Sequence, residues 1–250
     1  MPRRVDSGEL EVTIHCEPSI PWHGPFANKM AQGLKSLGIS SEIADSRERC
    51  SDIAILLGTT CWRGIEASGR YLLVDRCSFG DTNKYVSLVW DGHGRRGNHC
   101  IPQCYSYSRW SVHGVEVRPW RAGVGGATVL AGQCESYSPK WPSIADWYRS
   151  AANVCTHFRP HPAQSVNPTL LPEWVTFDGV ARMLTLNSSV AVDAILHGIP
   201  TTVEDEGGMA WPGFKRNEDR LPWLRWLAWT QFSHEEIAEG HPIAHLFKDL

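Results

Sequence analysis

Three short polar clusters hold the residue types that grip a phosphate and a ribose. They are Gly132–Gln133 in LAGQCES, Arg159 and His161 in FRPHP, and Asn187–Ser188–Ser189 in TLNSSVAVDAILHGIP, with Asp193 one turn further on. An arginine takes a phosphate bidentately, and a histidine adds a donor. Serines at a helix start stand beside backbone N–H groups that lack partners inside the helix and favour an anion. Asp193 could accept hydrogen bonds from ribose hydroxyls. Each residue also has an ordinary explanation: Ser188 or Ser189 as an N-cap worth about 1 kcal/mol, Arg159 in a surface ion pair, His161 fixed between two prolines. Together, at the ends of three predicted strands, they point to a nucleotide mono- or diphosphate, because ligands of parallel sheets gather at C-terminal strand ends.

The elements that must position these clusters are legible from apolar runs and their breaks. LEVTIHCE (Leu10–Glu17) reads as an opening strand, PSIPWHGPF as a turn, ANKMAQGLKSLG as a helix stopped by Gly38, and ISSEIAD as a second strand. SDIAILLG and RYLLVDR are short apolar strands of the buried parallel kind, with Asp75 at the end of the latter. Strand, helix, strand at this spacing predicts a βαβ unit. A loop-rich middle runs from Cys77 to about Val124. A second series follows: GATVLAGQ, a helix in SIADWYRSAA, a strand ending VCTHFRPHP, RMLTLNS, the helix AVDAILHG stopped by Gly198, and a strand over Ile199–Val203. Beyond Glu206 the chain reads as Trp-rich and helical. The expected architecture is α/β: two Rossmann-like domains facing a cleft, over 1–124 and 125–250, with the C-terminal helices packing across both.

Bulk properties exclude several classes. The formal net charge over 250 residues is −3, so a nucleic-acid partner must be held by a local patch. The eight cysteines form no CxxC pair, and the polar start MPRRVDSGELE reads as no signal peptide, so reduced thiols and a cytoplasmic location are expected. Zinc on Cys100, Cys104 and His99 is the weaker alternative, and no metal site is expected. No apolar run approaches the ~18 residues of a membrane span. Without an early GxGxxG, no dinucleotide cofactor is expected. The acidic run Glu204–Asp205–Glu206 follows the last strand and meets the sugar or caps a turn.

The sequence RPHP, then about twenty-five residues later strand–SS–helix with an acidic residue and GIP, resembles the donor-binding half of GT-B glycosyltransferases. It is similar in particular to the HP and SS motifs of bacterial polysialyltransferases and capsule-linking transferases. The resemblance implies that His161–Pro162 and Ser188–Ser189 hold the phosphate of a nucleotide-sugar co-substrate, expected to be a UDP-sugar. Asp193 stands where many GT-B enzymes place a glutamate, and the Asp/Glu-Asp/Glu-Gly base motif of polysialyltransferases has no clear counterpart. YLLVDRCSFG and the tail RLPWLRWLAWTQFSHEEIAEG also look like compact bacteriophage glycosyltransferases, several of which modify hydroxymethylated pyrimidines in DNA. That resemblance implies double-stranded DNA as acceptor, in a host cytoplasm.

Inverting glycosyl transfer needs a carboxylate or histidine to take the acceptor hydroxyl's proton. Asp75, His23 and Glu17 are the candidates. Asp75 leads because a strand end places it, although a turn carboxylate is an equal reading; His23 reads as an exposed loop residue or an acceptor-side one. For a nucleic-acid acceptor, Arg95, Arg96 and Arg109 with Tyr105 and Trp110 combine cations and stacking rings suited to a phosphate backbone and an exposed base, the base being flipped out of any duplex. A surface-polysaccharide glycosyltransferase, a non-catalytic nucleotide- or nucleic-acid-binding module and a nucleotide-sugar epimerase remain the competing readings.

Overall fold

The computed structural model describes residues 10–45, 51–58, 69–99, 101, 108–122, 125–133, 144–161 and 177–248. The chain packs as two units, 1–113 with 224–250, and 114–223.

The first unit is built on a six-stranded sheet. β1 (Val12–His15), β2 (Ser41–Ala44), β3 (Ile53–Leu57) and β4 (Arg70–Arg76) run parallel in the order β2-β1-β3-β4. β5 (Tyr85–Trp90) pairs antiparallel with β4, and β11 (Gln231–Ser233) pairs antiparallel with β5 at the edge. Strand β5 lies inside the stretch expected to be loop. Its six residues are all buried, a continuous run without alternation. The helix expected from Ala27 begins at His23, so α1 spans His23–Ser36. Its first turn absorbs Gly24 and Pro25, since a proline there displaces no helical hydrogen bond. Phe26, Met30 and Leu34 of α1 pack on Ile14, Ile55 and Val74 of the sheet.

The second unit carries a five-stranded sheet in the order β10-β9-β8-β6-β7. β6 (Ala127–Ala131), β7 (His157–Arg159), β8 (Val180–Thr185) and β9 (Thr201–Val203) are parallel, and β10 (Gly213–Phe214) is an antiparallel edge. Met183, Val190, Ala194 and Ile199 bury one face with α4 (Val190–Leu196); Leu130, Leu184 and Ala151 of α3 (Ile144–Ala152) bury the other. Gly198 ends α4 as expected. It takes a left-handed φ of 76°, and the Ile199 N–H closes back onto Ala194 O at 2.9 Å.

The tail departs from expectation. The boundary expected at 124/125 meets a packing division at 113/114, and a second division falls inside α5 (Leu221–Leu227), returning 224–250 to the first unit. The segment read as wholly helical contains β11, which completes the first sheet. The short helices α6 (His234–Ala238) and α7 (His241–Leu246) place Ile237, Ile243 and Leu246 in the core around α1. Helix α2 (Ser108–His113) belongs to the same unit. Among the described residues no helix is long and apolar enough to cross a membrane.

Candidate functional site

Strand register in the second unit brings the three predicted clusters to one edge. Ala131 lies opposite Arg159, Leu130 opposite Leu184, and Thr185 opposite Val203. Gln133, His161, Asn187 and Asp205 each stand two residues beyond a strand end, so they fall in one row across β6, β7, β8 and β9. Gly132 lets the first two strand ends converge. A Cβ there would lie 2.8 Å from His161 N and 3.1 Å from Arg159 O, while the Gly132 N–H donates to Arg159 O at 2.7 Å.

Among the described residues, two buried polar atoms at this edge have no hydrogen-bond partner: Gln133 Oε1 and Arg159 Nε. Gln133 is 7 % exposed, and its backbone N–H is fixed by the Tyr148 hydroxyl of α3 at 2.7 Å. An unsatisfied buried polar group costs about 1–3 kcal/mol, and native structures keep few of them. Burial lowers the pKa of the Arg159 guanidinium, which the nearby Asp193 charge partly restores. Burial, then Arg159, lowers that of His161. Asp193 is pushed up to about 6 by burial, against the pull of His197 and Arg159. These are shifts of the kind that concentrate at functional sites.

The serine pair behaves otherwise than a simple cap. Ser189, the residue before α4, makes no side-chain capping bond, and Ser188 Oγ accepts from Val190 N at a long 3.4 Å. The first-turn amides are not left open as expected. Ala191 N donates to Ser188 O at 3.1 Å and Val192 N to Ser189 O at 2.9 Å, a tight first turn that uses them internally. Any anion at this point must therefore be met by the hydroxyls. Asp205, expected to meet a sugar or cap a turn, is 2 % exposed and accepts from Asn187 Nδ2 at 2.8 Å. Pro162 lies outside the described residues.

The first unit has its own C-terminal row. His15 is opposite Leu56 and Leu56 opposite Leu73, which sets Glu17, Gly58 and Asp75 level two residues on. Asp75 is half-buried. Its Oδ1 accepts from Arg76 N at 2.7 Å, and its Oδ2 lies 3.4 Å from His93 Nε2. The histidine partner was not anticipated, because it comes from the turn after β5 that folds back over the sheet. Glu17 Oε1 accepts from Ser19 Oγ at 3.1 Å.

His23 corrects its expected role. It is the first residue of α1, is 1 % exposed, and accepts the Glu17 N–H at Nδ1 over 2.9 Å. An amide only donates, so the neutral ring carries its proton on Nε2 and has no lone pair left to act as a base. Burial lowers its pKa, which favours that neutral form.

The expected nucleic-acid set also changes. Arg109 bonds Glu236 through both terminal nitrogens, at 2.8 and 3.2 Å, and donates to the carbonyls of Ala228 and Gln231 at 2.8 and 3.0 Å. Its guanidinium packs on Trp229 and Phe232, so four of its five N–H donors are engaged inside the fold. Trp110 is buried at 4 % exposure and stacks on Phe79. Arg95 and Arg96 are exposed on a single 3-10 turn, with Arg95 over the Trp226 ring. Tyr105 lies outside the described residues. His99 has both ring nitrogens on carbonyls, Leu88 O and Gly94 O, each at 3.0 Å, which leaves neither free for zinc; Cys100 and Cys104 lie outside the described residues. No metal-binding cluster of His, Cys, Asp and Glu occurs among the described residues.

No protein-family model matches the chain, and no curated protein matches its sequence. A solved structure does. The chain aligns with KpsC of Thermosulfurimonas dismutans, a beta Kdo 2,7 transferase, at a TM-score of 0.52, with 14% identity, over 94% of this chain and 99% of that one. The likeness is one of fold. The alignment covers residues of both units.

Proposed function

We propose that the chain is a glycosyltransferase whose second unit holds a nucleotide-sugar. The observation that carries this reading is the pair of unpartnered buried atoms, Arg159 Nε and Gln133 Oε1, at adjacent C-terminal strand ends. A donor without an acceptor and an acceptor without a donor suit a ligand that offers both an anionic oxygen and a hydroxyl or amino group. A nucleotide-sugar does so. Arg159, with His161 and the Ser188 and Ser189 hydroxyls, takes the phosphate. Asp193, Asn187 and Gln133 take ribose, base or sugar. The fold shared with a beta Kdo 2,7 transferase supports the same class.

In the reaction the acceptor oxygen bonds to the anomeric carbon as the bond to the donor's phosphate oxygen breaks. The negative charge that develops on that oxygen is met by Arg159, and no separate cofactor enters this reading. The acceptor's proton needs a base, and the Asp75–His93 pair of the first unit is the one proposed, the carboxylate orienting the imidazole or taking the proton itself. Glu17, in the same row, is the alternative carboxylate. The acceptor is a saccharide hydroxyl rather than a base in DNA, because Arg109 and Trp110 are committed to the core of the first unit and two exposed arginines remain.

The test incubates the protein with UDP- and CMP-sugars against oligosaccharides and hydroxymethylated DNA and weighs the products. Arg159→Ala with Ser188→Ala is expected to weaken donor binding by about 1.5–3 kcal/mol per charge-assisted bond lost. Asp75→Asn is expected to keep donor affinity while turnover falls about 10²–10⁴-fold. Unchanged donor affinity in the folded double variant rejects the site, and product on DNA alone rejects the saccharide acceptor.

A further inference from the structure

Asp205 is a carboxylate at 2 % exposure, placed by the ends of two strands. The β8–β9 pairing runs past the strands proper: Glu204 N donates to Thr185 O at 3.1 Å, and Asp205 N to Leu186 O at 2.9 Å. The loop then turns sharply, with Gly208 N on Asp205 O at 3.0 Å. Gly208 allows the turn to close on the neighbouring strand end, since a Cβ there would lie 3.2 Å from Asn187 Cα and 2.7 Å from Val203 Cγ1. Against this rigid turn the Asn187 side chain meets Asp205 Oδ2 through Nδ2 at 2.8 Å.

The Asp205 Oδ2 atom accepts from the amide nitrogen, so the contact sets which end of the asparagine amide faces it. The Nδ2 end is taken, which leaves Oδ1 as the acceptor. We infer that Asp205 is a positioning residue that fixes Asn187 as a hydrogen-bond acceptor, and that this acceptor reads a hydroxyl of the bound donor. A second acceptor in the same row, Gln133 Oε1, is buried at 7 % exposure and unpartnered. An oriented amide oxygen and an unpartnered one on the same edge select for groups that donate, which in a nucleotide-sugar are the hydroxyls of the ribose and of the sugar. The phosphate is left to Arg159. Free to turn, an asparagine amide would present either end and would distinguish a hydroxyl from a hydrogen poorly. This inference rests on the nucleotide-sugar reading and adds to it what decides specificity.

The experiment measures dissociation constants by calorimetry for the best nucleotide-sugar, its 2′-deoxyribose analogue, an analogue lacking one sugar hydroxyl, and inorganic pyrophosphate. Wild type is expected to bind one of the two deoxy analogues about tenfold more weakly, and which analogue suffers identifies ribose or sugar as the group read. Asp205→Asn is expected to erase that preference while pyrophosphate affinity stays the same. Joining Asn187→Asp to Asp205→Asn reverses the bond, since the new amide donates to the new carboxylate, and is expected to restore the preference. A merely structural role for Asp205 would change melting temperature without moving the ratio of hydroxyl to deoxy affinity. Asn187→Ala keeps Asp205 in place and gives the same readout if Asp205→Asn does not fold. An unchanged ratio in a folded variant, or equal binding of all analogues by wild type, overturns this inference alone. Wild-type binding of pyrophosphate without any nucleotide-sugar overturns the functional reading together with it.

Discussion

Asp193 sits beside Arg159 with its carboxyl raised from 3.8 to about 6, burial being the main cause. The native chain thus keeps this proton to a higher pH than the unfolded chain. Ionisation works against the fold, with a contribution that grows as pH rises from 3.8 to about 6 and is constant above. Asp193→Asn is expected to be more stable than wild type near pH 7 by roughly 1–3 kcal/mol in urea titration, to match it near pH 4, and to bind donor more weakly. Equal stability at both pH values would show that the charge is not buried. A group that costs stability and improves binding is what a ligand site contains. His23 teaches a related lesson. Its chemistry is decided by the single amide that donates to it, and a residue type in a sequence carries no such information.

Helix α1 meets α6 at a glycine. A Cβ on Gly33 would collide with the carbonyl oxygen of Ile237 and lie 2.6 Å from Ile243 Cδ1. Backbone cannot yield as a side chain can, so Gly33→Ala is expected to lower stability by about 1–3 kcal/mol, read as a drop in melting temperature with donor binding retained. The same tail is tied by Arg109. Glu236 closes a capping box with Ser233, receiving the Ser233 N–H at 2.8 Å while Ser233 Oγ takes the Glu236 N–H at 3.1 Å. Burial pushes the Glu236 carboxyl up, but the Arg109 bonds and the Ser233 amide carry it below its ordinary value. Its stabilisation is therefore present near neutrality and lost as pH falls through the depressed native pKa. Arg109→Ala is expected to cost about 3–5 kcal/mol near pH 7, as when one partner of a buried pair is removed, with a smaller cost in acid. Denaturation at two pH values checks it, and a loss confined to nucleic-acid binding would contradict it.

For the chain as a whole, the last 27 residues belong with the first 113. A chain ending at Trp223 lacks β11, α6 and α7. It therefore exposes the β5 edge, which invites pairing with other chains, and uncovers Phe26, Met30 and Leu34 of α1. Such a truncation is expected to aggregate on size-exclusion chromatography, where the full chain elutes as a discrete species. A monodisperse truncated chain with native near-ultraviolet dichroism would show that the tail is dispensable.

Strands β3 and β4, the helix stop at Gly198 and the polar clusters after β6, β7 and β8 were legible in the sequence. Each is a local matter: an apolar run sets a buried strand, a glycine alone takes a left-handed φ cheaply, and polar residues after such a run must lie at a sheet edge. Strand β5 was missed because its continuous apolar run sits among residues typical of loops, and β11 because three residues carry too little pattern. β5 is a strand because β4 offers it an antiparallel partner, and β11 because β5 does so far along the chain; pairing of that kind leaves no local trace. The polarity of Asn187, the proton on His23, the His93 partner of Asp75 and the commitment of Arg109 to Glu236 were likewise decided by tertiary structure. Hydrogen-bond direction depends on which atom stands opposite, and the chain supplies that atom from 6 to 127 residues away.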